Sequence, residues 1–215
     1  MLISHKHKFI TIDIPKTGTR SLRESLVPLG IIDIVGVPNE SAEFYQHDTA
    51  ERANSQFIKN NWEWKNYYSF TIVRNPWQRY FSFFKYFKSY AEKYKNKDAS
   101  ITWNEPEINQ GKMCLEMFEK QDEKTIMKNL INNNKPQHEY YTINNEIVVN
   151  HIAEFENINY EFSQFCDNNN IQTIELRHGN KSKPNDDFNR VMDNELIDKI
   201  YELEKPTIEY KNYKL

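Results

Sequence analysis

Six consecutive residues, Lys16 to Ser21 in IPKTGTRSLRE, combine two cations, a glycine and three hydroxyls, directly after the apolar run FITIDI. A strand that turns into a helix gathers unpaired backbone N–H groups and the positive helix end around one point, which favours an anion. Lys16 adds a full positive charge, and Thr17, Thr19 and Ser21 add hydroxyl donors. Gly18 lets the backbone approach an oxygen-rich ligand closely. The pattern is not GxxxxGK[ST], because the first glycine is missing and the lysine precedes the glycine. That order disfavours an ordinary P-loop kinase or ATPase. Taken alone, the stretch also fits a purely structural turn.

A second group lies in FTIVRNPWQRYFSFFKYF, residues 70–87. Arg74 ends a strand-like run, and Ser82 follows eight residues later on a helix. Ligands of parallel α/β sheets collect at the C-terminal strand ends. An arginine there offers phosphate both charge and a planar fork, and the serine offers a neutral hydrogen bond. Arg79 reads as a helix brace or a carboxylate partner, and the surrounding aromatic residues as core or pocket wall.

For proton transfer the first candidate is His47 in FYQHDTAER, whose neutral imidazole can accept a proton near pH 7. A buried or helix-capping histidine is the alternative. Asp48 either orients His47 or caps the next helix. His138 in PQHEYY is second, followed by Glu43, Glu139, Glu154 and Glu156. His151 reads as structural, His5 and His7 as terminal polar residues, and His178, Asn180 and Ser182 as a polar loop that either is solvated or covers a bound ligand.

These residues need a scaffold. Strands are expected at Phe9–Ile14, Ile31–Val35, Tyr68–Val73, Ile147–Ile152 and Ile171–Leu176. Helices are expected at Arg20–Val27, Thr49 to about Lys59, from Pro76 through residue 94, Met113–Ile131, Tyr160–Cys166 and Glu195–Glu204. Residues 97–111 and 178–187 read as loops. Alternation of strands and helices predicts a three-layer α/β fold with a mostly parallel sheet. The chain has 215 residues and no evident linker, which predicts one domain over 1–215.

A net charge of −3, from 28 basic and 31 acidic residues, gives no general argument for binding nucleic acid. The lysines at 85, 88, 93, 95 and 97 read as a solvated helix face or an attraction for an acidic glycan. Two widely separated cysteines, Cys114 and Cys166, fit a reducing compartment rather than a disulfide framework. With no signal-type or spanning apolar segment, the expectation is a soluble, cytoplasmic protein without a transmembrane anchor.

IPKTGTRSLRE and VRNPWQRYFSF together resemble the two nucleotide motifs of sulfotransferases that use 3′-phosphoadenylyl sulfate, nearest the carbohydrate and membrane-type group with its bacterial and viral relatives. The resemblance continues through PQHEYY, IAEFENI, HGNKS and IYELEKPTIEY. It implies a P-loop-like sulfotransferase fold. It also implies that Lys16, Thr17, Gly18, Thr19, Arg20 and Ser21 hold the 5′-phosphosulfate, and that Arg74 and Ser82 hold the 3′-phosphate. His47 matches a histidine that follows the second strand in some relatives, where that region bears the catalytic base. The expected catalytic pair is therefore His47 and Lys16. The expected product is adenosine 3′,5′-bisphosphate, with a carbohydrate hydroxyl as preferred acceptor and no metal required. Many relatives have a glycine and a threonine where this chain has Thr19 and Arg20, so Arg20 either faces the phosphosulfate or points away. A nucleotide kinase and a noncatalytic nucleotide-binding module are the competing readings.

Overall fold

The structure is a computed structural model and describes residues 1–172, 176 and 188–215. Elements follow in the order β1 (Leu2–Ser4), β2 (Phe9–Ile12), α1 (Thr19–Leu26), β3 (Ile34–Val35), α2 (Ala50–Lys59), β4 (Tyr68–Val73) and α3 (Pro76–Lys95). Next come α4 (Glu105–Lys120), α5 (Glu123–Asn133), α6 (His138–Tyr141), β5 (Thr142–Ile143), β6 (Glu146–Ile147), β7 (His151–Glu154), α7 (Ile158–Asn168), α8 (Phe188–Val191) and α9 (Asn194–Lys211). They group into two compact units. The first comprises Met1–Asn75, Lys135–Lys183 and Pro206–Lys214; the second is chiefly Pro76–Asn134 and Pro184–Lys205.

The first unit holds the central sheet, in the order β3-β1-β2-β4-β7 among the described residues. β2 pairs in parallel with β4, and β4 with β7. β1 runs antiparallel to both β2 and β3, so every strand except β1 points the same way. The expected mostly parallel α/β sheet is what the structure shows. Strands buried on both faces read as continuous apolar runs, and β2 and β4 do so: Phe9, Ile10, Ile12, Phe70, Ile72 and Val73 are all buried. On one face Phe9, Phe70 and Ile72 pack with Leu22 and Leu26 of α1 and with Phe162, Phe165 and Cys166 of α7. Helical spacing puts Leu22 and Leu26 on one side of α1. Burying that side is what seats the helix directly after its turn.

Register then determines where the strands end. Ile12 pairs with Thr71, and Val73 with Glu154. The residues leaving β2, β4 and β7 therefore emerge along one edge of the sheet. The Thr71 hydroxyl ties two of these strands by donating to the Ile12 carbonyl at 2.8 Å.

Several expectations shift. β1 was not anticipated, and β2 stops at Ile12 instead of Ile14. The expected strand 147–152 is divided: β6 forms a two-stranded ladder with β5, and β7 begins at His151. Asn144 and Asn145, both at positive φ (51° and 65°), make the tight turn of that hairpin. In the expected strand 171–176, residues 173–175 lie outside the described residues, and Ile171, Gln172 and Leu176 are not in strand. The loop 178–187, with His178, Asn180 and Ser182, also lies outside them.

In the second unit the single helix expected over 113–131 is two. Asp122 caps α5 by accepting the Thr125 amide at 2.9 Å, and α4 starts earlier, where Asn104 accepts the Glu107 amide ahead of Pro106. α9 continues past the expected end at Glu204 through Pro206 to Lys211. Arg79 and Glu204 form an ion pair at 2.9 Å with both side chains fully buried. The guanidinium also lies against the rings of Tyr80 and Phe83. Arg79 is thus a carboxylate-paired brace, and losing either partner would strand a buried charge.

Candidate active site

Leaving β2, the chain turns through Asp13 to Gly18 into α1. Lys16 adopts φ 71° and Gly18 φ 84°. Left-handed backbone is costly for a lysine and marks a turn imposed by its surroundings. Gly18 is also required by space: a Cβ there would stand 2.8 Å from the Phe155 ring and 2.9 Å from Ile158. The Thr17 hydroxyl, fully buried, donates to the Ile14 carbonyl at 2.9 Å and braces the turn.

Gly18 is the N-cap of α1, so no side chain caps this end, and its first turn carries no acid. α2, α4 and α5 differ on both counts: Thr49, Asn104 and Asp122 cap them, and each has glutamate in the first turn. The start of α1 thus keeps a helix-dipole charge that no side chain offsets, while the Ser21 amide donates to the Gly18 carbonyl at 3.0 Å. Ser21 lies in this first turn and is largely buried. Arg20 points away: its Nε donates to Glu24 at 2.6 Å and its side chain is 70% exposed. Of the two geometries considered for Arg20, the structure therefore has the outward one.

Lys16 is largely buried. Burial, followed by the nearby Arg74 charge, pushes its pKa down to about 8. Arg74 follows β4, and its Nη1 donates to the Lys16 carbonyl at 3.4 Å. Its guanidinium lies 4.5 Å from the centre of the Phe155 ring, on the chain leaving β7. The residues after β2, β4 and β7 thus meet in one cluster. The next residue is held too: the Asn75 amide donates to Glu156 at 2.8 Å, and its side chain donates to the Lys214 carbonyl at 2.6 Å. Tyr213 donates to the other Glu156 oxygen at 3.1 Å. Burial, and then Glu156, raises the Tyr213 pKa, so this hydroxyl stays a donor.

His47 reaches the same loop. Its Nδ1 is 2.7 Å from the Asp13 carbonyl. A carbonyl only accepts, so Nδ1 carries the hydrogen and Nε2 of the neutral ring presents a lone pair. Burial lowers the His47 pKa despite the opposing Asp13 bond, which keeps the ring neutral at pH 7. The carboxylate of Asp13 is anchored separately by the Met1 amino group at 2.6 Å, by Arg23 at 3.4 Å and by the Thr11 hydroxyl at 2.8 Å. Asp48 neither orients His47 nor caps α2. It accepts the Tyr45 amide at 2.9 Å and pairs with Arg52, while Thr49 is the cap.

The remaining candidates are accounted for individually. Glu43 accepts from Asn60, Glu139 pairs with Lys135, and Glu154 pairs with Lys211. His138 has its Nδ1 buried with no hydrogen-bond partner among the described residues. His151 bridges Tyr68 and Glu161, as expected for a structural residue. His5 and His7 are more engaged than terminal polar residues, contacting the Tyr67 hydroxyl and the Asn169 carbonyl. Ser82 is half-buried on α3, in the second unit. In that unit Lys88 pairs with Glu123, and Lys85 lies over the Phe81 ring. Sequence reasoning missed the Asp13 carbonyl, Gln137 and Phe155. Only the local resemblance in PQHEYY and IAEFENI pointed near the last two.

The fold and this edge of the sheet define an α/β protein in which the turn before an uncapped helix start lies beside two half-buried cations, Lys16 and Arg74. The model of the Sulfotransferase family matches residues 1–209, and the chain belongs to that family. No curated protein and no solved structure matches it. Membership implies a transferase that moves sulfuryl groups, which disfavours the kinase reading. Among the described residues no helix is long and apolar enough to cross a membrane.

Proposed function

We propose that this sulfotransferase uses 3′-phosphoadenylyl sulfate as donor and sulfates an acceptor hydroxyl, with a carbohydrate hydroxyl preferred, releasing adenosine 3′,5′-bisphosphate. One observation carries the reading: Lys16, the uncapped start of α1 and Arg74 come together where β2 and β4 end. That arrangement suits a ligand with two separate anionic groups. Lys16 through Ser21 hold the phosphosulfate in this scheme, with Arg20 contributing its backbone and Thr17 bracing the turn. Arg74 takes the 3′-phosphate. The resemblance assigns Ser82 to that same group.

Sulfuryl transfer shares the demands of phosphoryl transfer: in-line geometry and stabilisation of charge on the leaving oxygen. The acceptor oxygen bonds to sulfur as the bond from sulfur to the 5′-phosphate oxygen breaks. Lys16 and the first amides of α1 offset the charge that accumulates on that oxygen. His47 Nε2 receives the acceptor's proton. A cytoplasmic setting belongs to the same reading.

The test is calorimetric titration with adenosine 3′,5′-bisphosphate, followed by incubation with the donor and a panel of hydroxyl acceptors. Binding and release of the bisphosphate are expected. Failure to bind either nucleotide would sink the assignment, and binding without turnover across the panel would favour a noncatalytic module.

A further inference from the structure

Where Arg74 leaves the sheet, its backbone loses the strand partner that Val73 still has in β7. A side chain replaces that partner. Gln137 Oε1 accepts the Arg74 amide at 2.9 Å, and Gln137 Nε2 donates to the Arg74 carbonyl at 2.9 Å. Gln137 is completely buried. An adjacent donor and acceptor on one planar group can bind both polar groups of a single residue, as a facing antiparallel strand would. The pairing also fixes which atom of the amide is oxygen.

We propose that Gln137 is the positioning residue that holds Arg74 at the angle needed to recognise the nucleotide's 3′-phosphate. This rests on the reading of Arg74 given above. The backbone clamp sets where the side chain starts, and Phe155 and the Lys16 carbonyl set where it ends. An arginine held at both ends loses little conformational freedom on binding, so its fork meets the phosphate preformed. Few other side chains substitute. Leucine leaves both backbone groups unpaired. Asparagine is one methylene short. An ionised glutamate accepts from the amide but faces the carbonyl without a donor, whereas a protonated glutamate has both functions.

The experiment is calorimetry with adenosine 3′,5′-bisphosphate and adenosine 5′-monophosphate on the full chain, with thermal unfolding recorded for each variant. Arg74→Ala tests the underlying reading and should abolish most of the preference for the bisphosphate. If that preference is unchanged, the reading of Arg74 fails. Gln137→Leu should reduce the preference about tenfold, a loss of about 1.4 kcal/mol in discrimination. It should cause no further loss when added to Arg74→Ala. Gln137→Glu supplies a version that does not depend on the leucine variant folding. Its preference should be low at pH 8 and return towards wild type at pH 5 as the carboxyl gains its proton, relative to wild type at each pH. A purely structural glutamine would lower the unfolding temperature and leave the preference intact in the folded variants. That outcome, with Arg74→Ala behaving as expected, overturns the positioning role alone.

Discussion

Lys16 loses its proton more readily in the folded protein than in the unfolded chain, because burial and Arg74 both penalise its charge. Between about pH 8 and the ordinary value of 10.5 the unfolded chain binds more protons at this site. Stability from this group therefore rises with pH across that window. Nucleotide affinity should move the opposite way, falling above about pH 8 as the cation is lost. Titration calorimetry across pH checks this, and Lys16→Gln should weaken binding and remove the step. His47 behaves differently, since its lowered pKa keeps it neutral through pH 7. Its activity should fade only on the acid side of 6.5. His47→Ala should cut kcat by about 10²–10⁴ while bisphosphate binding persists. A variant with near-normal kcat would remove His47 from the chemistry. Lys16, Arg74 and His47 were legible in the sequence because their types and spacing suggest charge and proton transfer. The Asp13 carbonyl that selects the tautomer was not, since every residue has a carbonyl and only the fold decides which one faces a ring.

At the scale of elements, α1 gives up stability for an open end. It has neither a capping side chain nor an early acid. Thr19→Asp would place a carboxylate in that first turn, where helices gain about 0.3–1 kcal/mol. The expected result is an unchanged or raised unfolding temperature together with weaker nucleotide binding. A variant that binds normally would show that the helix start does not face the anion. β4 was legible to the residue because its apolar run is bounded by chemistry that cannot continue it, with Arg74-Asn75-Pro76 at its end. The boundary between α4 and α5 was missed because Cys114, Phe118, Ile126 and Leu130 keep one four-residue phase on either side of the polar run 119–124, and a capping carboxylate is a quiet signal within such a run. β1 was missed because three residues carry too little pattern. It becomes a strand through its pairing with β2 and β3.

At the scale of the whole molecule, the chain passes repeatedly between the two compact units, at residues 75–76, 134–135, 183–184 and 205–206. Neither unit is a continuous piece of sequence, which supports the proposal that 1–215 folds as one domain. Tryptophans allow a test. Trp62 and Trp64 lie in the first unit and Trp77 and Trp103 in the second. Replacing either pair by phenylalanine leaves fluorescence reporting on one unit. One cooperative domain predicts the same denaturant midpoint for both reporters, once each variant's circular dichroism midpoint is taken as its reference. Separate transitions would divide the chain into two folding domains.

The supports of Arg74 also have an order in time. Lys16 and Arg74 leave the ribosome early, and apart from the Lys16 carbonyl the groups that hold Arg74 follow much later: Gln137, then Phe155, while Glu156, Tyr213 and Lys214 secure the neighbouring Asn75. A nascent or truncated chain ending near residue 134 would contain both anion motifs in full and none of those supports. Possession of the two motifs alone would therefore not make a fragment of this protein a nucleotide binder, and the proposed donor site is completed only by residues made late in synthesis.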